Sequence, residues 1–350
     1  MQVHATTSLS RMEVVCDMPG LTSRAGTALL TGLADAIGLT DGLVLDIDAT
    51  LLTAHSEKEG AAGTYKGGSG FHPLLCFEAD TGEALAGVLR PGCAGANTAA
   101  DHVALLELAV AQLPESAVSR GTLVRCDTAG ATHAFLDAVS AKGLSFSMGC
   151  DLTERVRAAI LALPESAWVP ALDSSGDPRE GAWVAELPLD LSAWPQGTRA
   201  ICRRERPHPG AQLSFSDADG HRFQVMLTNQ QVGRLAHLEQ VHRQRAAIDA
   251  IRCAKASGLR NLPFRAQAMN GAWLELVLMG IDLLAWMKRL LLSGTELAAC
   301  EPKRLRYRLL HVAGRIASHA HAVKLRLPRS WPWAPLLASA FARLQALPSG

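Results

Sequence analysis

Leu43-Val44-Leu45-Asp46-Ile47-Asp48-Ala49-Thr50 alternates apolar and acidic side chains before turning out at Ala49-Thr50. Alternation with a period of two predicts a β-strand, with Leu43, Leu45 and Ile47 on one face and Asp46 and Asp48 on the other. A second β-type run, Leu123-Val124-Arg125-Cys126-Asp127, also ends in a carboxylate. Acids brought together by neighbouring strands can hold divalent cations. Asp46 and Asp48 lie roughly 7 Å apart along one strand face, so one of them is expected to be a direct ligand. Asp48, next to the turn-out, is preferred, with Asp46 close behind. Asp127 is the second candidate acid; its other reading is a helix N-cap over Thr128-Ala129-Gly130.

Working outward from these strands, a helix is expected over Arg24–Leu39 and a polar, Gly-rich loop or hairpin tip over His55–Gly70. A hairpin follows, Leu74–Phe77 and Ala84–Leu89, turned at Asp80-Thr81-Gly82. Helices are expected over Asn97–Leu113, Thr132–Lys142 and Thr153–Leu163, with a strand at Leu144–Met148. This order is α/β and fits a ribonuclease-H-like core, a mixed sheet flanked by helices that presents acids at strand ends, as it also fits other small α/β folds. Residues 164–232 change character: three tryptophans and several Pro and Gly accompany alternating runs at Trp183–Leu187, Arg199–Arg203, Gln212–Ser214 and Phe223–Thr228, a β-rich insertion. Helices are then expected over Leu235–Ala256, Ala266–Leu292, Lys303–Ser318 and Leu336–Leu347. The resulting division is an N-terminal helical segment (1–41), the first part of the core (42–163), the insertion (164–232), helices completing the core (233–294) and a basic helical C-terminal part (295–350).

The net charge of +1 hides an asymmetry. Residues 1–130 hold 7 Lys/Arg against 15 Asp/Glu, a net of −8, whereas residues 241–329 hold 16 against 5, a net of +11. An acidic half beside a basic half suits chemistry on a phosphate backbone. The 8 cysteines form no CxxC pair, which argues against a zinc ribbon or a redox motif and fits free thiols in a reducing cytoplasm. No basic segment followed by an apolar core marks the N-terminus as a secretory signal. The apolar stretch Trp273–Leu292 is interrupted by Glu275, Asp282, Lys288 and Arg289, so it reads as a buried helix, with no membrane partner expected. The glycines at 67, 68 and 70 match no nucleotide-binding fingerprint.

Several ordered stretches carry a family resemblance. They are Asp46-Ile47-Asp48-Ala49-Thr50, Ala54 through Lys66, Gly70-Phe71-His72-Pro73-Leu74-Leu75, Leu89-Arg90-Pro91-Gly92, Arg125-Cys126-Asp127, Cys253-Ala254-Lys255 with Gly258 through Phe264, and Arg304 through His311. Together they resemble DDE transposases of bacterial insertion sequences, the group numbered thirteen-eighty, over residues 43 to 335. The resemblance implies a ribonuclease-H-like core interrupted by a β-rich insertion. It implies metal-dependent strand cleavage and transfer at terminal inverted repeats, with double-stranded DNA (the repeat ends and the target) as partner and a dimer acting on paired ends. It also implies two Mg2+ ions, on the order of 4 Å apart, held by the acids.

In relatives a Glu directly precedes an Asp on the long helix that leads into the Arg-Cys-Ala-Lys run. Here His242-Arg243-Gln244-Arg245-Ala246-Ala247-Ile248-Asp249-Ala250-Ile251-Arg252-Cys253-Ala254-Lys255 is one residue short. Counting back from Cys253, Ile248 fills the Glu position and Asp249 the neighbouring one; one residue on a helix is a rotation of about 100°. Asp249 therefore serves as third acid and metal ligand only if the helix re-registers; otherwise the site rests on two acids. Arg243, Arg245, Arg252 and Lys255 on the same helix are candidate phosphate contacts, and Glu239 reads as a solvated helix charge. Ser23 through Asp41 resembles the start of the same family and stands only one residue, Gly42, from the acid strand, which reads as an internal shortening. The leading expectation is a transposase; the alternative is an inactive remnant that only binds DNA.

Overall fold

The computed structural model describes residues 42–113, 121–208, 210, 217–319 and 322–347; the segment 1–41 and the run Gln212–Ser214 lie outside them. The acid run forms β1 (Val44–Ala49), followed by three short strands, β2 (Leu52–Thr53), β3 (Ala62–Gly63) and β4 (Ser69–Phe71). The expected hairpin is β5 (Leu74–Glu78) and β6 (Ala84–Val88). Helix α1 (Ala99–Val110) leads to β7 (Leu123–Cys126), α2 (His133–Ala141), β8 (Ser145–Cys150) and α3 (Glu154–Leu161). Four further strands follow: β9 (Val169–Leu172), β10 (Pro178–Glu186), β11 (Arg199–Glu205) and β12 (Arg222–Thr228).

The fold is mixed α/β around one nine-stranded mixed sheet, ordered β6-β5-β1-β7-β8-β12-β11-β10-β9. β1, β7 and β8 run parallel, while β5 and β6 on one side and β12 through β9 on the other pair antiparallel. The β-rich residues 169–228 thus continue the central sheet rather than building a separate one. β2, β4 and β3 form a small antiparallel sheet of their own.

Alternation along β1 divides the core into two layers. Leu45 and Ile47 pack with Leu105, Leu106, Phe135 and Leu136 beneath α1 and α2. On the opposite face Leu75 and Phe77 pack with Ala247, Ile251, Leu274, Val277 and Ile281, and Asp46 and Asp48 belong to that face by the strand's period. Burying such aliphatic side chains contributes about 1.5–3 kcal/mol each.

The long helix expected over 235–256 is two helices, α4 (Leu235–Arg243) and α5 (Ala247–Ala254), broken at Gln244 and followed by a wider turn over Lys255–Leu259. Helix α6 (Gln267–Trp286) continues through Leu291. This 25-residue helix is long and apolar enough to cross a membrane by length and composition alone; in the fold, Leu274, Val277, Leu278, Ile281 and Ala285 are buried. The basic helix expected over 303–318 gives out early. A short α7 (Pro302–Leu305) and one wide turn reach Leu310. Residues beyond it form the hairpin β13 (Arg315–His319) and β14 (Ala322–Arg326), and α8 (Ala334–Gln345) closes the described chain.

Candidate active site

The parallel register of β1 and β7 pairs Asp46 with Arg125 and Ile47 with Cys126. One further step sets Asp48 beside Asp127, since neighbouring strands run about 4.8 Å apart. Two rungs of one sheet face therefore carry opposite electrostatics. On the first rung Arg125 grips Asp46 with two donors, Nε to Oδ1 at 2.6 Å and Nη2 to Oδ2 at 3.0 Å, and Asp46 is fully buried. On the second rung the carboxylates of Asp48 and Asp127 lie within electrostatic reach of each other.

The expectation that Asp46 joins the metal site is corrected by this pairing. Both of its oxygens are occupied, and Oδ2 also accepts the backbone amides of Ala246 (2.6 Å) and Ala247 (3.3 Å). Asp46 thereby caps the start of α5, where a carboxylate meets the positive end of the helix dipole. Arg125 donates from Nη1 to the carbonyl of Val241 near the end of α4. The ion pair thus holds both sides of the helix break, which explains a break at a site with neither Gly nor Pro.

Asp48 is half-buried and accepts the Ala49 amide at Oδ1, 2.7 Å away. Burial first, and then the Asp127 charge, push its pKa up to about 6, partly offset by the Ala49 amide and by Arg245. Asp127 caps the turn Thr128–Gly130 by accepting the Ala129 amide at 2.9 Å, so the capping role and a place beside Asp48 coexist, with Oδ2 making no hydrogen bond among the described residues. Gly149 on β8 permits this turn, because a Cβ there would come within 2.7 Å of the Thr128 nitrogen. Arg245, in the break between α4 and α5, lies within electrostatic reach of Asp48 and lines a cleft of about 360 Å³ with Asp127, Arg203, Glu239 and His242.

The third position departs from the expected acid. Ile248, 63% exposed, lines a second cleft with Asp48, Ile251, Arg252, Lys255 and Arg260. Asp249 does not line that cleft. Its side chain is 74% exposed and pairs with Arg252 at 3.0 Å, and Arg252 also reaches Glu301 at 3.1 Å. Asp249 therefore does not join Asp48 and Asp127 as a ligand: helical rotation turns it toward solvent while Ile248 faces the acid. Among the described residues no three His, Cys, Asp or Glu side chains converge as a metal site.

The four candidate phosphate contacts separate. Arg243 turns inward, donating to the Leu172 carbonyl and pairing with Glu239 at 3.3 Å, so it is a structural cation. Arg252 is neutralised by its two acids. Arg245 and Lys255 face the clefts beside the carboxylate pair. Glu239 is not solvated: it is buried and paired with Arg203 on β11 as well as with Arg243. The signal for this was Arg203, which directly follows the apolar run Ala200-Ile201-Cys202 of β11. His242 hydrogen-bonds Ser147 Oγ at 2.9 Å, and burial together with the Arg245 and Arg125 charges lowers its pKa to about 3.

Among solved structures, the piggyBac transposase synaptic complex with hairpin DNA matches with a TM-score of 0.46 at 12% identity, covering 77% of this chain and 52% of that one. The present chain thus spans about half the length of that protein. The catalytic domain of Mos1 mariner transposase matches with a TM-score of 0.24 at 10% identity, over 37% of this chain and 62% of that one. The Mos1 paired end complex with Mn matches with a TM-score of 0.22 at 11% identity, over 39% and 48%. No curated protein matches the sequence. The family model for transposase DDE domain group 1 matches residues 2–349, nearly the whole chain, and the chain belongs to that family.

Proposed function

We propose that the chain is a transposase of the insertion-sequence type, of the thirteen-eighty group, which cleaves and rejoins DNA strands at terminal inverted repeats through Asp48 and Asp127. The observation that carries this reading is the neighbouring Asp48–Asp127 pair, delivered by two parallel strands, in which burial and then the Asp127 charge push the Asp48 carboxyl up to about 6. The strand order β6-β5-β1-β7-β8, in which β5 alone runs against the other four, supports a ribonuclease-H-like core.

The donor set supports one hard divalent ion better than two. Asp48 and Asp127 each keep one oxygen outside their local amide hydrogen bonds, and hard oxygen donors suit Mg2+, which completes its shell with water and phosphate. Ile248, at the third position, brings no ligand for a second ion. When bound, such an ion supplies Lewis-acid activation of the phosphodiester. The protein's own residues set the frame: Asp46 and Arg125 fix the α4–α5 break, and the break holds Arg245 over the acids to meet phosphate charge. Double-stranded DNA is the proposed partner, bound by a dimer at paired ends.

The second reading, a chain that binds DNA without cutting it, is favoured by Ile248 in the cleft and Asp249 outside it. One assay separates them: incubate terminal-repeat duplex with Mg2+ or Mn2+ and either the parent protein or Asp127→Asn, which keeps the capping oxygen. Cleavage by the parent and none by the variant supports the transposase reading. Binding without cleavage by the parent supports the second.

A further inference from the structure

The strip of chain between the two acid-bearing strands ends in a charged tip that the site described above does not use. Tyr65 and Lys66 sit at the turn between β3 and β4, closed by Thr64 Oγ1 donating to the Gly67 carbonyl at 2.8 Å. Gly67 and Gly68 supply the left-handed backbone this turn requires, at φ of 83° and 81°. The loop preceding the tip is fastened to the start of α6. Lys58 Nζ donates to the Phe264 carbonyl at 2.8 Å, the Glu59 amide donates to the Arg265 carbonyl at 2.9 Å, and the Gln267 amide donates to Glu59 Oε2 at 3.0 Å. These bonds hold the loop before the tip against residues 264–267, which follow the segment that carries Lys255 and Arg260.

Three cations result on one side of Asp48. Lys255 and Arg260 line the same cleft as Asp48, about 380 Å³ in volume. Lys66 and Arg260 are exposed, and neither has an ion-pair partner among the described residues. Lys66 and Arg260 each lie within electrostatic reach of Lys255: burial and the Arg260 and Lys66 charges depress the Lys255 ammonium, with Asp48 partly offsetting them. A cleft flanked by cations focuses the field and raises the local concentration of anions.

We propose that Lys66 and Arg260, together with Lys255, form a clamp for the DNA backbone, gripping phosphates next to the one presented to Asp48. The clamp rests on the reading of the chain as a DNA-acting protein and extends it to residues of the small β2-β4-β3 sheet and the α5–α6 connection. Each cation that neutralises a phosphate on duplex DNA steepens the dependence of log affinity on log salt by about 0.9.

The test is fluorescence anisotropy of a labelled 30-bp duplex with EDTA present, from low to moderate salt, so that binding is read without cleavage. The proteins are the parent, Lys66→Gln, Arg260→Gln, the double variant, and Arg155→Gln as a surface control from the pair Arg155–Asp190. The clamp predicts a slope shallower by about 0.9 for each single variant and about 1.8 for the double, with Arg155→Gln unchanged and thermal stability of all variants within a degree or two of the parent. A parent that binds while the double variant keeps its slope and affinity overturns the clamp and leaves the DNA reading standing. A parent that binds no duplex at all overturns that reading, and the clamp with it.

Discussion

Arg125 and Asp46 sit opposite each other on adjacent parallel strands and close a two-donor ion pair, 2.6 and 3.0 Å long, with both side chains almost wholly buried. Two residues further along the same face, Asp48 and Asp127 occupy the corresponding places with like charge. The first rung is compensated within the protein; the second is left for a cation from outside.

Removing one member of the buried pair is expected to be costly. Asp46→Asn leaves Arg125 uncompensated in the core and removes the charge that caps α5, so urea unfolding of the metal-free protein should show a loss of about 3–5 kcal/mol. A double variant, Asp46→Asn with Arg125→Met, should recover part of that loss, because the two residues are coupled. A loss below about 1 kcal/mol in the single variant would show that the pair does not organise the helix break.

Asp48 should make the metal-free protein less stable as pH rises through the acid range. Its carboxyl is raised from 3.8 to about 6, so between those values the folded chain keeps a proton that the unfolded chain has released. The stability this group contributes is intact below about pH 3.8 and lost as pH rises through 6, a change of about 2 kcal/mol after allowance for its partial exposure. Asp48→Asn removes the charge, so its melting temperature should exceed that of the parent at pH 7.5 and converge with it near pH 4. Parallel melting curves across that range would contradict the upward shift that burial and the Asp127 charge impose on Asp48.

Ile248 lines the cleft beside Asp48 and Asp249 does not. Ile248→Glu places a carboxylate in the cleft at an exposed helix position, where the substitution itself should cost under about 0.5 kcal/mol. Titration with Mn2+ should show at least about tenfold tighter binding, the scale on which single supporting groups at metal sites act, while Asp249→Ala should leave affinity at the parent's value. Weaker binding in Asp249→Ala would mean that α5 re-registers to bring that side chain inward.

The acid strands were legible because their information is local. Alternation placed Asp46 and Asp48 on one face, and the carboxylate ending the second run placed Asp127. The pairing of Asp46 with Arg125 was also within reach. Asp46 stands two residues before Asp48 and Arg125 two before Asp127, so in-register parallel strands bring them side by side; the signal was read as two acids instead of one ion pair. The break at Gln244 left no local mark, since it comes from tertiary capture of the Ala246 and Ala247 amides by a residue 200 positions away. The same holds for Glu239, whose partner Arg203 comes from β11. Past Leu310 the basic residues suggested a helix, yet Arg315–Arg326 carries an alternation that pairs Ile316 with Leu325 across a hairpin. The one-residue shortfall before Cys253 left two outcomes open for Asp249, since rotation along a helix is set by counting but the register of α5 is set by its packing.

Direct binding of Mn2+ to the purified protein, measured by calorimetry at pH 7.5 in the parent, Asp48→Asn and Asp127→Asn, bears most closely on the central claim that these two carboxylates form one cation centre. The account predicts one ion bound per chain in the parent and a loss of binding in either variant. Undiminished binding in both variants would contradict it.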